Sequence, residues 1–456
     1  MRIDKNTTIR LGNRNIVKVK LGDSVIWQKS TGPEPVGPDY FYIESLGDGN
    51  TISVVNKGNG NTSGVTPTLE YSKDKNTWNT ITFDWTSGTH TTELPIKLNT
   101  GEKMYFRNDT HKFSNDYDKY ISFSSSVSSN VGGDIRTLSN YLNVDNETTP
   151  QSYMFKELFY NNKYIVDASN LRLPYTTLAS YCYQNMFQGC TSLTTSPIEL
   201  PATTLTSSCY NNMFKGCTSL TTAPELPATT LSYNCYASMF RDCTSLTTAP
   251  ILPATTLASG CYSSMFENCT SLTTAPTLPA TTIESNCYNS MFRKCTSLTT
   301  APELPATTIE NDCYAGMFNG CTSLTTAPTE LPAKTLKNYC YQYMFKGCTS
   351  LTTAPELPAT TLSYNCYNSM FTGCTSLTTA PALPAKTLAE SCYSHMFENC
   401  TSLNNVTVYA DDISASYCIS NWLKGVASSG TFRNLGSATY PTGTSGIPSG
   451  WTEVKS

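Results

Sequence analysis

One Met-Phe motif returns at an almost constant step, and that step restricts the fold more than any other feature of the chain. Its Met falls at 186, 213, 239, 265, 291, 317, 344, 370 and 396, so the period is 26 residues, lengthened to 27 twice. Each longer step carries one residue inserted before Leu-Pro-Ala, near Glu199 and Glu330, which marks a loop at that point. A unit this short cannot bury an apolar face alone, so neighbouring copies must stack into a solenoid with one continuous core.

Within one copy, Leu231, Cys235, Met239 and Cys243 are spaced by four, with Tyr236 and Phe240 beside them. The spacing predicts a short helix with one apolar stripe. Its end is marked by the position before the second Cys, occupied by Gly189, Gly216, Asp242, Asn268, Lys294, Gly320, Gly347, Gly373 or Asn399. That set is dominated by residues that tolerate left-handed backbone. The next segment, TSLTTAP, is rich in β-branched residues and stops at proline, which suits a short parallel strand. The fold class expected is therefore α/β, a solenoid with one short strand and one short helix per repeat. Leu220, Ala223, Leu226, Leu231, Cys235, Met239 and Phe240 should supply its core. Strands pack about 4.8 Å apart and helices about 10 Å apart. The array should consequently curve into an arc with its strands on the concave side.

Nineteen cysteines suggest a disulfide framework until their spacing is considered, because eighteen fall in pairs of the form CYxxMFxxC, such as Cys209 with Cys217. Eight residues of helix span about 12 Å, beyond the Cα separation a disulfide accepts. No CxxC occurs and the histidines are His90, His111 and His395, so zinc is not expected either. Reduced, buried thiols acting as small hydrophobes are the expectation, with bridges between neighbouring repeats as the alternative.

The array should run over residues 151–426, with worn copies as caps: Leu158, Phe159, Leu171 and Leu173 at one end, Cys418, Trp422 and Leu423 at the other. Residues 427–456 then read as a capping tail anchored by Trp451. Ahead of the array, residues 39–150 show short alternating runs separated by Gly, Asn and Asp, the pattern of an all-β sandwich. Trp78, Trp85, Tyr105 and Phe106 are expected in its core rather than as a glycan platform. Residues 1–30 predict three strands with turns at Gly12-Asn13 and Gly22-Asp23. Val17, Val19, Leu21, Val25 and Trp27 share one apolar face that so small a module cannot bury, a candidate anchor surface. The segment TGPEPVGP at 31–38 is a Pro/Gly linker.

The unit MFxGCTSLTTAPELPATTLxxxCY resembles the BspA-type leucine-rich repeats of bacterial surface proteins and of phages infecting gut Bacteroidales. VKLGDSVIWQ resembles short N-terminal segments of phage tail-associated proteins, and LEYSKDKNTW with GEKMYFRND resembles a domain that often precedes these repeats. Such repeats serve as adhesive scaffolds, so the resemblance implies presentation of a surface to a partner.

Chemistry has little to work with. No GxSxG, HExxH, P-loop or GxGxxG stands in a suitable context, and every cysteine belongs to the repeat register. No catalysis, cofactor or metal is expected. Charged residues make up only 14% of the chain, with a net charge of −4 and no basic block, which argues against nucleic acid as the partner. No apolar stretch long enough for a signal-peptide core or a membrane span occurs, so neither export by the general route nor membrane insertion is expected. The uniform strand face, Thr221, Thr247, Thr273, Thr299, Thr325, Thr352 and Thr378, is the candidate ligand surface, since a hydroxyl ladder can meet a repeating glycan. These features lead to a virion-attached fibre or adhesin. Its N-terminus would dock to other virion proteins and its solenoid to a host-surface glycan or protein. A bacterial cell-surface adhesin binding host proteins is the rival, and trimerisation, common among fibres, is the remaining partner expectation.

Overall fold

A computed structural model describes residues 39–58, 68–109, 113 and 119–455, together with the backbone of four short strands between residues 9 and 28. Those four are β1 (Ile9–Leu11), β2 (Arg14–Ile16), β3 (Lys18–Leu21) and β4 (Ser24–Gln28). They form two antiparallel hairpins, β1–β2 and β3–β4, so the module holds four strands where alternation suggested three. The turn residues Gly12, Asn13, Gly22 and Asp23, the linker at 31–38 and the side chains of the candidate anchor face lie outside the described residues.

Tyr40–Ser456 is one compact unit. It opens with eight strands: β5 (Phe41–Ser45), β6 (Ile52–Gly58), β7 (Thr68–Ser72), β8 (Asn79–Thr82), β9 (Gly88–Glu93), β10 (Lys103–Arg107), β11 (Tyr120–Ser125) and β12 (Ser129–Asp134). One sheet has the order β12-β5-β10-β7-β8, and a second has β11-β6-β9. Alternation decides what each strand buries. Phe41 and Ile43 of β5 and Met104 and Phe106 of β10 point inward, and Phe106 meets Phe123 of β11 at 4.7 Å between ring centroids. A single helical turn, α1 (Thr137–Asn140), follows.

The next strand, β13 (Ile165–Arg172), joins this sheet to the repeats. Along one edge it pairs in parallel with β12, and along the other Ala168 accepts a place in the first repeat column by donating its N–H to Thr195 O at 2.9 Å. Phe159 of the worn first copy touches Phe41 on one side and stacks on Phe187 on the other, so one apolar core runs from the sheets into the array.

The repeats do not contain the predicted helix. In the copy containing Leu231, residues 235, 237, 239, 241 and 243 each donate N–H to the carbonyl three residues back, for example Met239 to Tyr236 at 3.2 Å. The alternate residues 234, 236, 238, 240 and 242 donate instead to the next copy: Tyr236 to Cys261 at 3.0 Å, Ser238 to Ser263 at 2.8 Å and Asp242 to Glu267 at 2.9 Å. The segment is a ribbon of overlapping β-turns, and half of its amides are used between repeats. Every fourth residue has positive φ, as Asn234 (50°), Ser238 (54°) and Asp242 (62°) do here. Each is the third residue of a turn, where type II geometry requires φ above zero.

The reason for the correction is spacing. A helix satisfies its own amides and keeps neighbours about 10 Å apart, whereas the opposite side of the unit is tied at strand spacing of about 4.8 Å. A turn ribbon is thin enough to match. Ring centroids of successive copies lie 5.7 Å apart for Phe240–Phe266 and 5.9 Å for Tyr236–Tyr262, nearly parallel in both cases. The mismatch on which the expected arc depended is therefore absent.

The predicted strand is also shorter than expected. Its pairing reduces to isolated parallel bridges such as Thr222–Thr248–Thr274, and a second column follows Leu-Pro-Ala, where Thr230 bridges Thr256 and β14 (Thr282–Ile283) pairs with β15 (Thr308–Ile309). Longer parallel pairing returns at the end of the array, in β16 (Asn405–Val408), β17 (Gly430–Asn434) and β18 (Trp451–Lys455). There Trp422 takes the ring position of the tyrosine column, 6.3 Å from Tyr393, and Tyr440 closes over it at 5.9 Å.

All the predicted core positions of the copy are buried except Ala223, which is partly so. The cysteines are free and buried. The second Cys of each pair has a specific partner: Cys217, Cys243, Cys269 and Cys295 donate S–H to the carbonyls of Phe187, Phe214, Phe240 and Phe266 in the preceding copy, each at 3.1 Å. Burial pushes most of the thiols up, Cys209 and Cys321 to about 12, which keeps those protonated, while the hydrogen bond from Cys261 lowers Cys287.

Candidate functional site

The candidate threonines sit on the surface where the parallel bridges run. Thr221, Thr247, Thr273, Thr299, Thr325, Thr352 and Thr378 are all exposed, and so is the threonine that follows each of them. Their backbones form the inter-repeat ladder: Thr325 donates N–H to Thr299 O at 2.9 Å, and Asn404 to Thr378 O at 3.0 Å. The hydroxyls partly follow, since Thr325 Oγ1 also donates to Thr299 O, at 3.1 Å.

A second exposed column, which the sequence expectations do not include, follows Leu-Pro in the Ala-Thr-Thr segment. Thr203–Thr204, Thr229–Thr230, Thr255–Thr256, Thr281–Thr282, Thr307–Thr308 and Thr360–Thr361 are exposed in register, with Lys334 and Lys386 replacing the first threonine in two copies. The cue lay in the sequence, since β-branched pairs recur there as regularly as in TSLTTAP. Between the two columns the chain turns at Pro-x-Leu-Pro, and the x position is outward. It holds Glu225, Ile251, Thr277, Glu303, Glu356 and Ala382, of which Ile251 is 79% exposed. The two inserted residues fall at this corner, where Glu199 bridges Glu225 and Glu330 bridges Glu356.

The turn-ribbon surface is different, and one depression of about 320 Å³ interrupts it. At the two variable positions between Tyr and Met, and the two between Phe and Cys, most copies carry at least one long side chain. Ala315, Gly316, Asn319 and Gly320 are short at all four. Neighbouring copies supply the walls, Arg293 on one side and Gln342, Tyr343 and Lys346 on the other. Asp312 lines it too, and its carboxyl is raised because it is partly desolvated. No reading of the sequence singled out this place, although internal comparison of the copies would have found it.

Of the four aromatics expected in the sandwich core, Trp85 and Phe106 are buried, but Trp78 and Tyr105 lie half-buried on the outer sheet face. Tyr105 follows from alternation with Phe106. Both rings are covered by cations, the Arg107 guanidinium 3.9 Å from the Trp78 centroid and Lys75 Nζ 4.5 Å from Tyr105. One face of each ring is thereby taken by a cation rather than open to a sugar. His395, expected in a helix, occupies a turn position at φ 56° and its Nδ1 lies 2.8 Å from Glu398, which Lys424 also holds at 2.9 Å. Burial alone would raise the Glu398 carboxyl, but the hydrogen bonds from Lys424 and His395 outweigh it and leave it lowered overall. Among the described residues no cluster of His, Cys, Asp and Glu could hold a metal ion, and no helix is long and apolar enough to cross a membrane.

Comparison with curated proteins gives no match. A solved leucine-rich repeat protein from Eubacterium ventriosum is 14% identical over 69% of this chain and 91% of its own, with a TM-score of 0.29. The family model of the BspA type leucine rich repeat region matches in six copies, over residues 152–299, 207–344 and 281–421. With more than half its length inside those matches, the chain belongs to the BspA-type leucine-rich repeat family.

Proposed function

We propose that this is a cell-surface adhesion protein of bacterial origin, with the repeat array as a rigid platform and the threonine columns as its contact surface. The observation that carries the reading is the register of those columns. Exposed hydroxyl pairs repeat at every step from Thr221–Thr222 to Thr378–Thr379 on one side of the proline corner, and on the other side at all but the two copies that carry Lys334 and Lys386. Uncharged donors and acceptors at regular spacing suit a partner that is itself repetitive or extended, such as a host glycan or a matrix protein. No catalysis is part of this reading, since the second Cys of a pair, such as Cys243, is held protonated by burial and bonded to a backbone carbonyl. The test is adhesion of the purified chain to host cells and immobilised matrix proteins, compared with a Thr247→Glu/Thr273→Glu/Thr299→Glu variant. Loss of adhesion by the variant with an unchanged melting temperature supports the reading, and equal adhesion overturns the assignment of this face.

A second reading makes the chain a virion-attached fibre, docked to other virion proteins through Val17, Val19, Leu21, Val25 and Trp27. It is favoured by the alternating apolar positions of the N-terminal module and by its resemblance to phage tail-associated segments. Immunogold labelling separates the two, since envelope labelling favours the cell surface and particle labelling the virion.

A further inference from the structure

We propose that the depression at Ala315 and Gly316 is a binding site for one sugar residue of a surface glycan. It rests on the adhesion reading and adds to the threonine columns a specific contact on the turn-ribbon surface. The depression exists because one copy is short at all four outward positions of its ribbon while the copies on either side are not. Its volume, about 320 Å³, lies at the lower end of the range that small-molecule sites occupy.

Its lining selects the class of ligand. Asp312 offers a partly desolvated carboxylate that no hydrogen bond or ion pair satisfies among the described residues. Asn319 and Gln342 each bring an amide that both donates and accepts. Arg293 engages Glu267 through Nη1 at 3.4 Å, while Lys346 Nζ has no carboxylate within ion-pair distance among the described residues and lies 5.1 Å from the Tyr343 ring. Adjacent hydroxyl groups, donors and acceptors at once, match a carboxylate, two amides and a cationic donor arranged around one recess. A simple anion is opposed by Asp312. An apolar side chain of a protein partner would leave this polar lining unpaired.

The test fills the recess with the neighbouring copy's own residues. Ala315→Gln/Gly316→Tyr copies Gln342-Tyr343, and Tyr343 already holds the same positive φ (58°, against 62° at Gly316), so the fold is preserved. The full-length chain, this variant and Asp312→Asn are each applied to an array of bacterial and animal surface oligosaccharides, and affinities are measured for those bound. The expected result is at least tenfold weaker binding by the filled variant and weaker binding by Asp312→Asn. Two results overturn the proposal. One is full glycan binding by the filled variant. The other is a wild-type chain that binds no oligosaccharide; if it still adheres to cells or matrix protein, the broader adhesion reading survives alone.

Discussion

Phe240 donates its backbone N–H to the carbonyl of Met265, 2.9 Å away in the next copy, while its own carbonyl accepts both the N–H of Cys243 and the S–H of Cys269. A side chain that fills the core thus sits on a backbone unit that ties two neighbouring copies together at two points. Removing the ring should open a cavity in the middle of the phenylalanine column. Phe240→Ala is expected to cost about 3–5 kcal/mol, the usual range for a buried phenylalanine. Chemical denaturation should report it, and hydrogen exchange should show the loss concentrated in copies adjoining the site, because each copy contacts only its neighbours.

The positive-φ positions allow a change in the opposite direction. Lys294 has φ 59° at a position where Gly189, Gly216, Gly320, Gly347 and Gly373 stand in other copies. Left-handed backbone costs a residue with a Cβ about 1–2 kcal/mol. Lys294→Gly should therefore raise the denaturation midpoint by an amount equivalent to about 1 kcal/mol. Gly347→Ala should lower it by about as much, since a Cβ there meets nothing closer than 3.8 Å and only the backbone term remains.

Tyr236 is buried among ring neighbours, and its hydroxyl finds no partner among the described residues. An unsatisfied buried hydroxyl carries a desolvation penalty of about 1–3 kcal/mol. Tyr236→Phe should keep the stack and relieve that penalty, so its melting temperature should equal or exceed that of wild type. A clear fall would mean that the hydroxyl has an ordered partner.

Alkaline pH should unfold the array. A thiol has a pKa of about 8.5 in an unfolded chain, whereas burial pushes Cys209, Cys321, Cys366 and Cys400 up to about 12. The folded state therefore binds more protons than the unfolded one in between. Stability is complete below pH 8.5 and is lost as pH rises toward 12, with a slope of about 1.4 kcal/mol per pH unit for each such thiol. A denaturant midpoint falling steeply from pH 9 onward is the expected outcome, and substitution of these cysteines by alanine should flatten the slope.

Much of the solenoid was legible because the repeat is overt. The period, the inserted corner, the core side chains and the left-handed residue before the second Cys all follow from residue types in register. The helix misled because spacing by four also suits a ribbon of turns in which every fourth residue is left-handed. Apolar periodicity reports which side chains share a face, and it is silent on whether an amide bonds within its segment or to the next copy. Asn234 and Ser238 could have signalled the difference, as residues poor in helix interiors and frequent in turns. The exposed threonines of the first column were visible as a pattern. The second column was hidden by its prolines, and the depression at Gly316 by the habit of reading copies for what they share.

Because Phe240 hands its hydrogen bond to Met265 in the same way that Phe266 hands its own to Met291, both at 2.9 Å, one junction serves the interior of the array. Gene recombination that gains or drops a whole copy would recreate an existing junction rather than demand a new one. The reach of such a molecule from its point of attachment can then evolve in increments of one ring spacing, 5.7 Å between Phe240 and Phe266, without any fresh solution to folding.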